Sequence, residues 1–149
     1  MSPCMLIRIQ HSFSDCPILD VLVIGAATTL YTFSDAECAF IRKTTESASA
    51  VIAICGGFDA LLQAGVLEGK TATAPRSILP MLRGVAPGTD WVEKRWVRDG
   101  KIWTSGALLN GIDLMAEFVR QTWGNGQRKE LMDWTLEFAG WNVGRSVDY

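Results

Sequence analysis

One cysteine in this sequence stands where a thiol could act as a nucleophile. The apolar, β-branched run at residues 51–54 ends at Cys55, and two glycines and a helix-like segment from Phe58 follow it. This order predicts a strand, a sharp turn and a helix, with the thiol at the turn. At a helix N-terminus the dipole favours a thiolate, and backbone N–H groups face a developing oxyanion. Cys55 is therefore a candidate for covalent attack on an electrophilic carbon. The alternative is a cysteine that ends a core strand and only packs there.

A loop of small residues is predicted beside this cysteine. Residues 20–24 form a short apolar run, typical of a buried strand in a parallel sheet, and Gly25 and Ala26 follow it. Ligands of layered α/β folds bind at the carboxyl ends of strands, so this loop and Cys55 are expected to share one crevice. The sequence contains neither a GxGxxG nor a GxxxxGK[ST] pattern, so no phosphate cradle and no cofactor is predicted.

The elements that must position this crevice alternate between strand and helix. Asp99 and Gly100 are a strong signal for a two-residue hairpin turn between strands at 91–98 and 101–104. Ser34 or Asp35 can cap a helix that runs to about Ser47. Strands that alternate with helices predict one layered α/β domain over residues 1–149. Further helices are predicted at 58–64, 77–83, 107–123 and 127–138.

Composition and charge restrict the function classes. The net charge of −2 and the absence of a basic stripe argue against nucleic acid and anionic membranes as partners. No apolar run has the length of a membrane span or of a signal peptide, so a cytoplasmic protein with a small-molecule substrate is expected. The four cysteines form no CxxC pair and there is one histidine, so reduced thiols and no metal site are predicted.

Five segments, in their order and spacing, resemble the ThiJ/PfpI superfamily, which is class I glutamine-amidotransferase-like. The nearest likeness is to its fungal isocyanide (isonitrile) hydratase-like members. The resemblance covers residues 12–140 and leaves 1–11 as an atypical N-terminus. It implies a flavodoxin-like three-layer sandwich with a mainly parallel sheet. Five segments carry it: residues 16–25, residues 51–57, residues 63–73, the tryptophan-rich hairpin at 91–106, and residues 110–114.

The resemblance also assigns roles within the site. It implies that Cys55 is the nucleophile of an elbow and that backbone N–H groups of Gly25, Ala26 and Gly56 stabilise an oxyanion. It further suggests pocket positions for the three residues Gly57, Arg76 and Ser105. In the family the aspartate equivalent to Asp113 has a structural, hydrogen-bonding role.

Several departures from the family pattern predict a depleted catalytic site. Family members have roughly two further strands and a helix before the matching part, and that piece carries an acidic side chain that hydrogen-bonds the thiol. Here residues 1–11 offer Arg8 and His11 but no carboxylate. The oxyanion loop has Gly25-Ala26-Ala27 instead of Pro-Gly-Gly, the elbow has Cys55-Gly56-Gly57 instead of Cys-Thr-Gly, and Ala74-Pro75-Arg76 replaces Thr-Asn-Lys or Thr-His-Trp. A thiolate can still attack, but proton transfer without a positioned acid or base is inefficient.

Three functions remain open on the sequence. The first is an isocyanide hydratase-like enzyme that uses Cys55 covalently. The second is a pathway enzyme that uses the pocket for non-covalent catalysis or for binding an apolar metabolite. The third is a catalytically silent family member with a dimerisation or regulatory role, since a protein can keep its fold after it has lost its catalytic residues.

A homodimer, or a larger assembly, is expected. Strands that a parallel sheet leaves without a neighbour are apolar on both faces and are rarely left exposed. The apolar run at residues 5–9 could complete the sheet, either within the chain or in a partner subunit, and the surface around Trp96 and Trp103 could add apolar contact.

Overall fold

A mixed four-stranded sheet organises this chain, as seen in a computed structural model that describes residues 8–27, 31–141 and 147–149. The strands of the described part are β1 Val21–Ile24, β2 Ala50–Ala53, β3 Thr71–Ala72, β4 Asp90–Trp91, β5 Trp96–Asp99 and β6 Ile102–Ser105. Its α-helices are α1 Asp35–Ser47, α2 Phe58–Gln63, α3 Leu79–Val85, α4 Leu108–Trp123 and α5 Lys129–Phe138, with 3₁₀ turns at Cys55–Gly57 and Gly126–Arg128.

The strand order places three carboxyl ends at one edge of the sheet. The order is β1-β2-β6-β5, in which β1, β2 and β6 are parallel and β5 is antiparallel to β6. The register pairs Ile24 with Ala53 and Ala53 with Thr104, so the three parallel strands end side by side. We call this side of the sheet the carboxyl edge. A separate two-stranded parallel ladder joins β3 to β4.

Alternating residues of β2 face two different helical layers. Val51 and Ala53 pack in one buried cluster with residues of α1, α2 and α3. Ile52 packs in a second cluster with Leu114 and Phe118 of α4. Both faces of the strand are therefore covered, which explains why its sequence is a continuous apolar run. The predicted three-layer α/β sandwich is confirmed.

Helix α1 begins where the sequence predicts. The Ser34 hydroxyl accepts a hydrogen bond from the Glu37 N–H at 3.3 Å, and the Ser34 N–H donates to Glu37 Oε2 at 2.7 Å. This reciprocal capping box satisfies two N–H groups that the helix itself cannot pair. Hydrogen bonds from the Ser34 backbone and side chain hold the pKa of Glu37 below its ordinary value.

The predicted hairpin forms, but its turn lies one residue later and its first strand is shorter than the sequence predicts. Asp99 ends β5 and pairs with Ile102, so the two turn residues are Gly100 and Lys101. Gly100 takes the left-handed φ of +61° that this turn requires. Trp91, however, belongs to β4 and pairs with Ala72 of β3, and the hairpin strand begins only at Trp96. Trp91 is drawn into the core, where its ring meets Phe58 edge-on and its Nε1 donates to the Ala86 carbonyl at 3.0 Å.

The helix predicted at 77–83 lies two residues later in the structure, at Leu79–Val85. Gly84 is therefore inside α3, and the Ala86 N–H still bonds to the Leu82 carbonyl. Part of the run at 5–9, predicted to complete the sheet, lies outside the described residues, while Ile9 is exposed. No helix within the described ranges is long and apolar enough to cross a membrane.

Candidate active site

Cys55 takes a backbone conformation that a cysteine rarely adopts. Its φ is +55°, the only positive φ among the non-glycine residues that the structure describes. The chain leaves β2 in extended form at Ile54, turns at Cys55 through a 3₁₀ turn, and enters α2 at Phe58. The predicted strand, sharp turn and helix are thus confirmed. Strained backbone of this kind costs on the order of 1–3 kcal/mol and clusters at functional sites.

The two glycines after Cys55 let the turn lie against the end of β1. A Cβ on Gly57 would overlap the Ile24 carbonyl oxygen, and a Cβ on Gly56 would come within 3.1 Å of the Ala26 Cβ. The Ile54 N–H donates to that same Ile24 carbonyl at 2.9 Å. The turn at Cys55 and the loop of Gly25 and Ala26 are therefore neighbours at the carboxyl edge.

Ser105 supports the turn from the other neighbouring strand. Its hydroxyl accepts a hydrogen bond from the Cys55 N–H at 3.3 Å, and its side chain is completely buried. Ser105 therefore holds the backbone of the turn in place. A pocket position was suggested for it from the family resemblance, whereas the contact seen here is to the cysteine backbone.

Arg76 lies in the loop after β3. Its Nη2 is 2.6 Å from Glu93 Oε1, and its guanidinium lies 4.6 Å from the centre of the Tyr149 ring. The Tyr149 hydroxyl donates to Asn110 Oδ1 at 3.0 Å. Burial, as the largest effect, raises the pKa of Tyr149 above its ordinary value, so the phenol is protonated at neutral pH. Sequence analysis missed Tyr149, because no local pattern shows where an isolated tyrosine in a tail will dock.

Asp113 and His11, the two other ionisable residues considered for the site, each have an ionisable side chain as neighbour. Asp113 is buried and its Oδ2 lies 3.5 Å from Arg95 Nη1, in keeping with the structural role that the resemblance implies. His11 is exposed, with Nδ1 4.0 Å from Asp15 Oδ2. Among the residues that the structure describes, no carboxylate hydrogen-bonds the Cys55 thiol. The same residues contain no group of three histidine, cysteine or acidic side chains that could hold a metal ion.

The fold and this geometry define a class of protein: a layered α/β domain with a strained cysteine between a central parallel strand and a helix. A family model, the DJ-1/PfpI family, matches residues 5–121. The chain belongs to the DJ-1/PfpI family, also called ThiJ/PfpI, as its motifs indicated.

Similar proteins are found in bacteria and yeast. The chain is 35% identical over 133 residues to an isonitrile hydratase of Pseudomonas putida. This alignment covers 86% of this chain and 56% of that protein. The chain thus spans about half the length of this curated relative. A ThiJ/PfpI family protein from Pseudomonas syringae superposes with a TM-score of 0.67 at 22% identity, over 89% of this chain and 54% of that one. DJ-1 of Schizosaccharomyces pombe superposes with a TM-score of 0.60 at 17% identity, over 78% of this chain and 62% of that one.

Proposed function

We propose that this protein acts on a small electrophilic molecule through Cys55, as an isocyanide hydratase-like enzyme with a depleted catalytic site. The observation that carries the proposal is the strained φ of +55° at Cys55. A cysteine that only ends a core strand has no need of that conformation, whereas a nucleophile is lifted clear of the sheet by it. The similarity to an isonitrile hydratase supports the choice of substrate class.

The proposed reaction adds water to an isocyanide in two stages. The Cys55 thiolate attacks the terminal isocyanide carbon, a C–S bond forms, and a proton reaches that carbon to give a thioimidate. Water then adds to the same carbon, its oxygen bonds to that carbon and one of its protons goes to the nitrogen. The C–S bond breaks with return of the thiolate, the hydroxyl proton is released and balances the one taken up in the first stage, and a formamide leaves. Backbone N–H groups of Ala26 and Gly56 are proposed to stabilise the negative charge that develops in each addition.

Proton transfer is the step expected to limit this chain. No carboxylate among the described residues bonds to the thiol, so water is the proton source that we propose. The loss of a positioned general acid or base costs about 10²–10⁴-fold in rate. We therefore expect isocyanide hydration to be slow and dependent on Cys55.

The test is formamide production from a simple isocyanide, measured for the wild type and for Cys55→Ser. The expected result is weak turnover in the wild type and none in the variant. Turnover of ordinary enzymatic size, on the order of 1–10³ per second, that is lost in Cys55→Ser would overturn the depleted site and reveal a substitute acid. Formamide production that survives Cys55→Ser would overturn the role of the cysteine.

A further inference from the structure

Residues 147–149 dock beside the candidate site through three separate contacts. The Arg95 N–H donates to the Val147 carbonyl at 2.8 Å, the Tyr149 hydroxyl donates to Asn110 Oδ1 at 3.0 Å, and the Tyr149 ring lies under the Arg76 guanidinium. These partners come from the approach to β5, from α4 and from the loop after β3. Residues 147–149 are thus held by three elements, and Tyr149 itself is held by α4 and by the loop after β3.

The Tyr149 hydroxyl lies against Gly106, which is next to Ser105, the residue that supports Cys55; we call this position at Gly106 the seat of the tyrosine. A Cβ on Gly106 would overlap the Tyr149 hydroxyl, so the phenol occupies the space that a side chain would otherwise fill there. Gly106 directly follows Ser105, whose hydroxyl accepts the Cys55 N–H at 3.3 Å. Tyr149 therefore stands on the β6 side of the turn that carries the thiol, whereas Ala26 stands on the β1 side.

Tyr149 is anchored although it is only partly buried, since 45% of it stays exposed. We propose that Tyr149 is a specificity-determining residue that forms a wall on the β6 side of Cys55 and limits the size of the electrophile that reaches Sγ. The inference rests on the proposed role of Cys55 as the attacking group, but not on isocyanides as the substrate. Removal of the ring should open the site to bulkier reagents more than to small ones.

The experiment compares the rates at which Cys55 of the full chain reacts with N-ethylmaleimide and with the much larger N-(1-pyrenyl)maleimide. Peptide mass spectrometry follows each cysteine, and half-buried Cys16 serves as the internal reference. In Tyr149→Ala we expect the pyrenyl rate at Cys55 to rise about tenfold relative to the ethyl rate. Of this tenfold change in the ratio of rates, the loss of the neutral hydrogen bond to Asn110 accounts for about fivefold. The loss of the exposed cation–π contact with Arg76 accounts for about twofold or more. Tyr149→Phe keeps the ring and should show less than the full change.

A second variant keeps the tyrosine and disturbs only its seat. In Gly106→Ala the new Cβ must displace the Tyr149 hydroxyl, so the same shift towards the larger reagent is expected. The proposal is overturned if Tyr149→Ala leaves the ratio of the two rates unchanged, if both reagents accelerate equally, or if Cys16 accelerates as much as Cys55. It is also overturned if Cys55 stays unreactive in both wild type and variant, because another group would then close the site.

The two proposals fail separately. The addition of a thiolate to a maleimide forms the C–S bond in its rate-limiting step, and water then protonates the neighbouring enolate carbon without a positioned acid. The alkylation rate therefore reports on access to the thiol and not on hydration. A shift in size selectivity without any formamide production would reject the hydratase proposal and leave the wall in place. Formamide production with unchanged size selectivity would reject only the proposed role of Tyr149 and would leave the hydratase proposal in place.

Discussion

The strained backbone at Cys55 predicts that glycine will be more stable than alanine at this position. Both Cys55→Gly and Cys55→Ala remove the sulfur, so the difference between their free energies of unfolding reports on the backbone conformation alone. A non-glycine residue in the left-handed region is destabilised by about 1–2 kcal/mol, whereas glycine adopts this conformation freely. Glycine ordinarily loses about 0.5–1 kcal/mol to alanine through the entropy of the unfolded chain. At a φ of +55° the first effect is the larger, so Cys55→Gly should be the more stable by about 0.5–1 kcal/mol.

Gly84 provides the matched control with the opposite sign. It lies within α3 without a positive φ, and a Cβ there would meet nothing within 4 Å. Gly84→Ala should therefore stabilise the protein by about 0.5–1 kcal/mol. The two sites together separate the effect of backbone conformation from any general preference of the protein for alanine.

Urea unfolding followed by tryptophan fluorescence measures both differences. With a slope of about 2 kcal/mol per M, the expected difference between the two Cys55 variants is about 0.3–0.5 M in midpoint, at unchanged slope. A higher midpoint for Cys55→Ala than for Cys55→Gly would refute the strained turn, and with it the observation on which the proposed function depends.

Three further predictions concern the turn, the helix cap and the assembly. Gly57→Ala should destabilise by about 1–3 kcal/mol in the same urea assay, because its Cβ would overlap the Ile24 carbonyl and backbone cannot move aside easily; an unchanged midpoint would mean that the turn does not lie against β1. Glu37→Gln should lower the thermal midpoint at neutral pH. The lowered folded-state pKa of Glu37 stabilises the fold above the ordinary carboxyl pKa, and this contribution is lost as pH falls through the folded value, so the two proteins should converge in acid; a gap that persists in acid would contradict this. Light scattering at micromolar concentration should show a homodimer, since β1 is an edge strand of the described sheet and Val23 on it is 52% exposed; a well-folded monomer that binds no apolar dye would reject the dimer.

The elements that the sequence predicts well are those with a local cause. Ser34 caps α1 because its hydroxyl can reach an N–H three residues away. Gly100 turns the hairpin because it tolerates a positive φ. The turn at Cys55 is readable because an apolar strand stops, two glycines follow and a helix begins within a few positions. Each of these signals is complete within a handful of neighbouring residues.

The elements that the sequence predicts poorly depend on distant partners. Strands β3 and β4 have two residues each and no period to detect, and they exist because Thr71 and Ala72 meet Asp90 and Trp91. Trp91 looked like part of the hairpin, but its burial against Phe58 outweighs any local preference for continuing the strand.

What the sequence alone determined is the layered α/β class, the family and the position of the thiol at the end of a buried strand, since periodicity, turn residues and motif spacing are local properties of the chain. Only the tertiary structure decided which distant residues hold the turn and dock beside it. The Ser105 hydroxyl reaches the Cys55 N–H from 50 positions along the chain, and Tyr149 docks against Arg76 and Asn110. The place of Tyr149 depends on the space that Gly106 leaves open, because packing of distant segments depends on shape complementarity that no short pattern encodes.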